Sequence, residues 1–157
     1  MDADASTPPD ETTGGTGPGH RGVELTRLEL GRYELRNARG GTITIGDGGT
    51  EDFTPVELLL AALAGCSSVD VDYITSRRAE PESFTVLAEG EKVSTPEDGN
   101  HLSDLAVTFR VAFPEGEGGD AARSALPRSV AQSRDRLCTV SRTVQIGVPV
   151  TMTAEDA

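Results

Sequence analysis

From Val23 onward apolar and polar residues alternate: Val23-Glu24-Leu25-Thr26-Arg27-Leu28-Glu29-Leu30, then Arg32 to Arg36, then Thr42-Ile43-Thr44-Ile45. A period of two puts the apolar set on one face of a pleated strand, and Gly31, Gly40-Gly41 and Gly46-Asp47-Gly48-Gly49 separate the segments. Three short antiparallel strands are the simplest reading. The last glycine-rich piece lacks the strand-then-helix setting of a nucleotide loop, so it reads as a turn. The pattern then changes. Thr54-Pro55-Val56-Glu57 supplies a capping hydroxyl, a proline at the first helical position and a carboxylate at the third, which predicts a helix starting at Thr54. It should run to about Arg78, since Pro81 is the next breaker and Arg77 and Arg78 suit the negative end of the helix dipole. Leu58 to Leu63 is apolar on almost every side, which predicts an enclosed helix and a mostly buried Cys66.

Phe84 to Ala88 and Leu105 to Val111 read as two more strands, with Pro96 to Asn100 as the turn between them. A second helix is expected within 120–136, where Pro127 must begin the main segment or kink it. Cys138 follows directly. Val144 to Val150 alternates again and is expected to be a closing strand, placed at an edge or bulged by Pro149. Strands and helices in this order predict an α+β domain with sheet packed on helix over residues 23–157. Residues 1–22 are rich in Pro, Gly, Thr, Asp and Glu without apolar periodicity, and read as a disordered acidic tail.

Charge narrows the function. A formal net charge of -12 repels phosphate backbones and anionic lipid, so neither nucleic acid nor membrane is an expected partner. No continuous apolar run reaches the ~18 residues that span a bilayer, and the N-terminus has neither a basic nor an apolar leader segment, so a cytoplasmic location is expected. In that reducing compartment the two cysteines, Cys66 and Cys138, point to chemistry rather than to a permanent cross-link. No metal or cofactor is expected. His20 lies in the tail, and His101 with Asp70 and Asp72 has no metal-ligand spacing. Both aspartates should reach solvent or neighbouring backbone. Ser67 and Ser68 adjoin Cys66 without a histidine placed to activate them, which removes a hydrolase reading.

A free cysteine has a pKa near ~8.5, and apolar burial raises it, so a nucleophilic thiol needs a cation nearby. The helix dipole fades within the first turn, and Cys66 stands about three turns past Thr54. A guanidinium at ~4 Å in an effective dielectric of ~20 supplies ~4 kcal/mol, or ~3 pKa units.

Thr54-Pro55-Val56-Glu57-Leu58-Leu59-Leu60-Ala61-Ala62-Leu63-Ala64-Gly65-Cys66, with Cys138-Thr139-Val140-Ser141-Arg142 further on, resembles the OsmC/Ohr family over roughly 23–152. The resemblance implies an intertwined homodimer in which a curved antiparallel sheet from each subunit wraps buried central helices. It also implies a thiol-dependent peroxidase acting on organic hydroperoxides, in which Cys66 forms a sulfenic acid and Cys138 resolves it to a disulfide. A lipoylated protein or small thiol would be the dithiol reductant. In the family an arginine from the first hairpin faces the reactive thiol; Arg32 matches that position best, with Arg36 and Arg39 as alternatives because hairpin register is open. Two departures stand out. Peroxidase-branch members usually carry the acid directly after the helix-opening proline, and a proline after the second cysteine; this chain has Val56 and Thr139. Its acid is Glu57, nine residues before Cys66 and about half a turn away in azimuth, so it aims poorly at the thiol. The departures favour a rival expectation: a non-catalytic or weakly active small-molecule-binding stress protein with an apolar cavity at the dimer interface.

Overall fold

The computed structural model describes residues 18–156. The tail expected over 1–22 therefore lies, for residues 1–17, outside the described residues. The chain divides into two compact units, Met1–Leu58 and Leu59–Ala157.

The first unit contains β1 (Val23–Glu29), β2 (Arg32–Asn37) and β3 (Thr42–Gly46) in an antiparallel sheet of that order. The register runs from Val23 opposite Asn37 to Glu29 opposite Arg32, with an irregularity between Arg27 and Glu29. Gly31 makes the tight turn possible. Its φ of 77° lies in the left-handed region, and a Cβ there would sit 2.4 Å from Asp47 Oδ2. Every residue of β1 is exposed, apolar Val23 and Leu25 included.

Helix α1 (Pro55–Thr75) opens as the sequence predicts. Thr54 N–H and Oγ1 both donate to Glu57 Oε2, at 2.7 and 3.0 Å, and Glu57 N–H donates back to Thr54 Oγ1 at 3.3 Å, forming a capping box. The helix ends at Thr75, three residues before the expected Arg78, and a turn follows in which Arg78 N–H reaches Thr75 O. Its buried residues are Leu63, Ser67, Val71 and Thr75, one stripe at four-residue spacing. The expected enclosure of the first half is corrected here: Val56 and Leu59 are exposed. By length and composition α1 could cross a membrane, a point that counting uninterrupted apolar runs misses, yet Asp70 and Asp72 break its apolar face.

In the second unit β4 (Ser83–Thr95) and β5 (Gly99–Ala112) form a long hairpin, and the two expected strands are its distal halves. Gly90 sits at a register shift, where a Cβ would meet Leu105 Cδ2 at 2.9 Å and the Ser103 carbonyl oxygen at 3.1 Å. Helix α2 (Glu117–Gln132) carries Pro127 in its interior, so Pro127 neither begins the helix nor ends it. A turn of π-helix (Ser133–Leu137) follows, and then α3 (Thr139–Ile146). The closing strand expected over 144–150 is thus corrected to helix as far as Ile146. The cause is local: Cys138 caps the start, Thr143 Oγ1 donates to Thr139 O, and Gly147 at φ 65° closes the end in a left-handed conformation. Among the described residues the architecture is mixed α and β, with antiparallel sheets of three and two strands and three α-helices.

Candidate functional site

The two thiols meet although 72 positions separate them in the chain. Cys66 projects from the middle of α1 and is partly buried, in line with the mostly buried position its apolar surroundings predict. Cys138, fully buried, stands where the π turn gives way to α3. Both are free thiols, and Cys66 lies near enough to Cys138 to act on its thiol.

Backbone geometry explains how Cys138 gets there. Its N–H donates to Ser133 O at 2.9 Å, closing the wide π turn, and its extended conformation, φ -72° and ψ 104°, breaks the helical path. The sulfur becomes the N-cap of α3 and accepts from Ser141 N–H at 3.3 Å. A helix N-terminus favours thiolate, but burial opposes charge more strongly here. The Cys138 thiol is pushed up to about 11: burial is the largest cause, the Ser141 amide opposes it, and Cys66 and Asp70 raise it further. At neutral pH it keeps its proton. The pair is therefore asymmetric, one thiol reachable from solvent and the other sealed and protonated.

The π turn is tied down from both sides. From α1, Asp70 Oδ2 accepts from Ser133 Oγ at 2.8 Å, across a separation of 63 residues. From α3, Gln145 Nε2 donates to Arg134 O at 3.1 Å and to Ser141 Oγ at 2.7 Å. Asp70 thus departs from the expected solvent or backbone contact and reaches a buried hydroxyl. Its neighbour Asp72 accepts from Ser76 Oγ at 2.8 Å. Asp70, Ser133 and Gln145 are site residues that sequence reasoning missed. One signal was present: Asp70 lies four positions after Cys66, hence on the same helix face.

A cleft of about 340 Å³ opens in this unit between α1, β5, α2 and α3. Leu63, Val107, Phe109 and Val130 give it an apolar wall, while Ser67 and Ser141, neighbours in the chain or in space of the two cysteines, put polar edges on it. The Ser67 and Ser68 hydroxyls donate to backbone carbonyls one turn back, Leu63 O and Ala64 O, both at 2.6 Å, and so are occupied structurally.

The other expected site residues belong to the first unit and are bound locally. Glu57 is spent on the capping box, and the Thr54 backbone N–H, then the Thr54 hydroxyl, hold its carboxyl below the usual range. Arg32 opens β2 directly after the Gly31 turn, with Nε donating to Asp52 Oδ2 at 3.2 Å and Nη1 in a looser ion pair with Glu29 Oε1 at 3.9 Å. Arg36 pairs with Glu34 at 3.0 Å, and Arg39 N–H donates to Asn37 Oδ1.

The profile of the OsmC-like protein family matches residues 46–153. Among solved structures, an OsmC-like protein of unknown function from Vibrio cholerae superposes with a TM-score of 0.68 at 13% identity, over 82% of this chain and 95% of that one. A hypothetical protein from Aquifex aeolicus gives 0.66 at 21% identity, over 82% and 89%. An organic hydroperoxide resistance protein from Legionella pneumophila gives 0.54 at 14%, over 82% and 91%. No curated protein matches the chain.

Proposed function

The chain belongs to the OsmC-like protein family, and on that premise we propose that it is a thiol-dependent peroxidase that reduces organic hydroperoxides. The Cys66 thiolate attacks one peroxide oxygen; the S–O bond forms as the O–O bond breaks, and the departing alkoxide takes a proton to leave as alcohol. Cys138 then attacks the Cys66 sulfenic acid. The S–S bond forms, the S–O bond breaks, and hydroxide leaves with the Cys138 proton as water. A dithiol reductant, lipoylated protein or small thiol, returns both cysteines to thiols and is itself oxidised to a disulfide. The observation that carries this reading is the meeting of a half-exposed Cys66 with a sealed, protonated Cys138, which divides the labour between them. The apolar wall of the neighbouring cleft favours alkyl over hydrogen peroxide. The relative from Legionella pneumophila is described as an organic hydroperoxide resistance protein, in line with this substrate class.

Arg32 is the guanidinium assigned to the Cys66 thiolate, and Asp52 competes for it. We assign the protein a cytoplasmic location, where dithiols are maintained. A homodimer is part of the proposal. Leu30, Ile146, Val150 and Met152 are 86, 63, 77 and 88% exposed, an apolar load that a second copy would cover.

A second reading has its own support, because Glu57 is occupied by the helix cap and Arg32 by Asp52. It makes the chain a binding protein that turns over peroxide slowly or not at all. Cumene hydroperoxide consumption with dihydrolipoamide separates the two. Peroxidase chemistry requires turnover in the wild type and none in Cys66→Ser; equal consumption in both, or none in either, leaves the binding reading.

A further inference from the structure

Asp70 has no part in the chemistry above, yet it reaches across to the turn that carries the resolving cysteine. We propose that Asp70 is a positioning residue that, by holding the buried Ser133, locks the π turn in the geometry that presents the Cys138 sulfur to Cys66, and so sets the rate of disulfide closure. The inference rests on the assignment of Cys138 as resolving thiol. Three observations join in it. Asp70 shares a face of α1 with Cys66, four positions on. Its Oδ2 accepts from Ser133 Oγ at 2.8 Å, and Ser133 is completely buried. The Ser133 carbonyl accepts the Cys138 N–H at 2.9 Å, so the residue that Asp70 grips is the one that fixes the Cys138 backbone.

The same carboxylate also bears on which thiol reacts first. The groups acting on Cys138 are Cys66 and Asp70 from α1 and the Ser141 amide from α3; Arg134 and Asp135 on the π turn are engaged with each other. A negative Asp70 discourages a second negative charge on Cys138. Cys138 stays a thiol until Cys66 has been oxidised.

The test uses diamide, a thiol oxidant that drives disulfide formation in any dithiol and needs no peroxidase activity. Wild type, Asp70→Asn and Ser133→Ala are each treated, quenched by acid and resolved by mass spectrometry for the Cys66–Cys138 cross-link. Ser133→Ala keeps the charge and loses the tie, and should close at least about tenfold more slowly. Asp70→Asn keeps an acceptor for Ser133 and should close at nearly the wild-type rate. It should, however, shift the pH profile of Cys138 alkylation, read in a Cys66→Ser background, to lower pH. Circular dichroism checks folding; if Ser133→Ala does not fold, Asp70→Ala replaces it. Wild-type closure rates in the tie-breaking variant, or an unmoved alkylation profile in Asp70→Asn, overturn the proposal. Rapid closure by diamide with no hydroperoxide turnover would instead remove the peroxidase reading, and with it the resolving role, and leave only the control of disulfide closure by Asp70 standing.

Discussion

The first three strands and the cysteine-bearing segment satisfy their polar groups in opposite ways. In the first unit, charges find partners close by and in water: Arg36 takes Glu34 two residues away, Glu57 takes Thr54 three away, and Arg32 takes Asp52 in the loop after β3. Around Cys138, beside local contacts, two join buried groups across long stretches of chain: Ser133 is bonded to Asp70 across 63 positions, and Cys138 is set against Cys66. Exposed pairs of the first kind contribute little to stability, because water competes for both partners. Buried ones are costly to break, since the group left behind loses both its partner and water. Contacts in the first region can therefore be exchanged cheaply, whereas those around Cys138 resist change.

The largest effect expected is chemical. Cys66→Ser should reduce hydroperoxide consumption to background, while Cys138→Ser should consume about one equivalent and then accumulate overoxidised Cys66, seen by mass spectrometry. Sustained turnover in Cys138→Ser with dithiol present would take the resolving role from the second region. Next, Arg32→Met should lower kcat/KM at least about tenfold while changing unfolding free energy by under about 1 kcal/mol, because its pair with Asp52 is exposed. An unchanged kcat/KM would hand the cation's role to Arg36 or Arg39. In urea unfolding, Asp70→Ala should cost about 1–3 kcal/mol, the penalty for stranding the Ser133 hydroxyl. Thr54→Ala, which removes the capping hydroxyl in the exposed region, should cost about 1 kcal/mol. A Thr54 effect larger than that of Asp70 would reverse the contrast drawn above.

A separate effect is on pH dependence. The Cys138 thiol is raised from 9.0 to about 11 in the folded chain. Between those values the unfolded chain releases a proton that the folded chain keeps, so stability is fully present below about pH 9 and falls as pH rises toward 11. Urea midpoints across that window should fall more steeply for wild type than for Cys138→Ser.

Where a structural choice depends on neighbours in the chain, it was legible. The Thr54 cap, the proline start of α1 and the Gly31 hairpin all appear where residue type and spacing put them. Val144 to Val150 shows the limit. Its alternation suits a strand, but Val140 and Val144 also share a helical face, and the cap from Cys138 together with the left-handed Gly147 tipped that ambiguity toward helix. Pairing of Cys66 with Cys138 came from family resemblance rather than from spacing. The π turn that enables it leaves no mark in composition.

By itself the sequence determined the elements whose hydrogen bonds close within a few residues, along with the charge and the identity of the two thiols. Tertiary structure alone decided that Asp70 faces Ser133, and that Cys138 is sealed while Cys66 is only partly buried. The reason is physical: burial, and every energy that scales with it, belongs to an environment assembled from segments that are far apart in the chain.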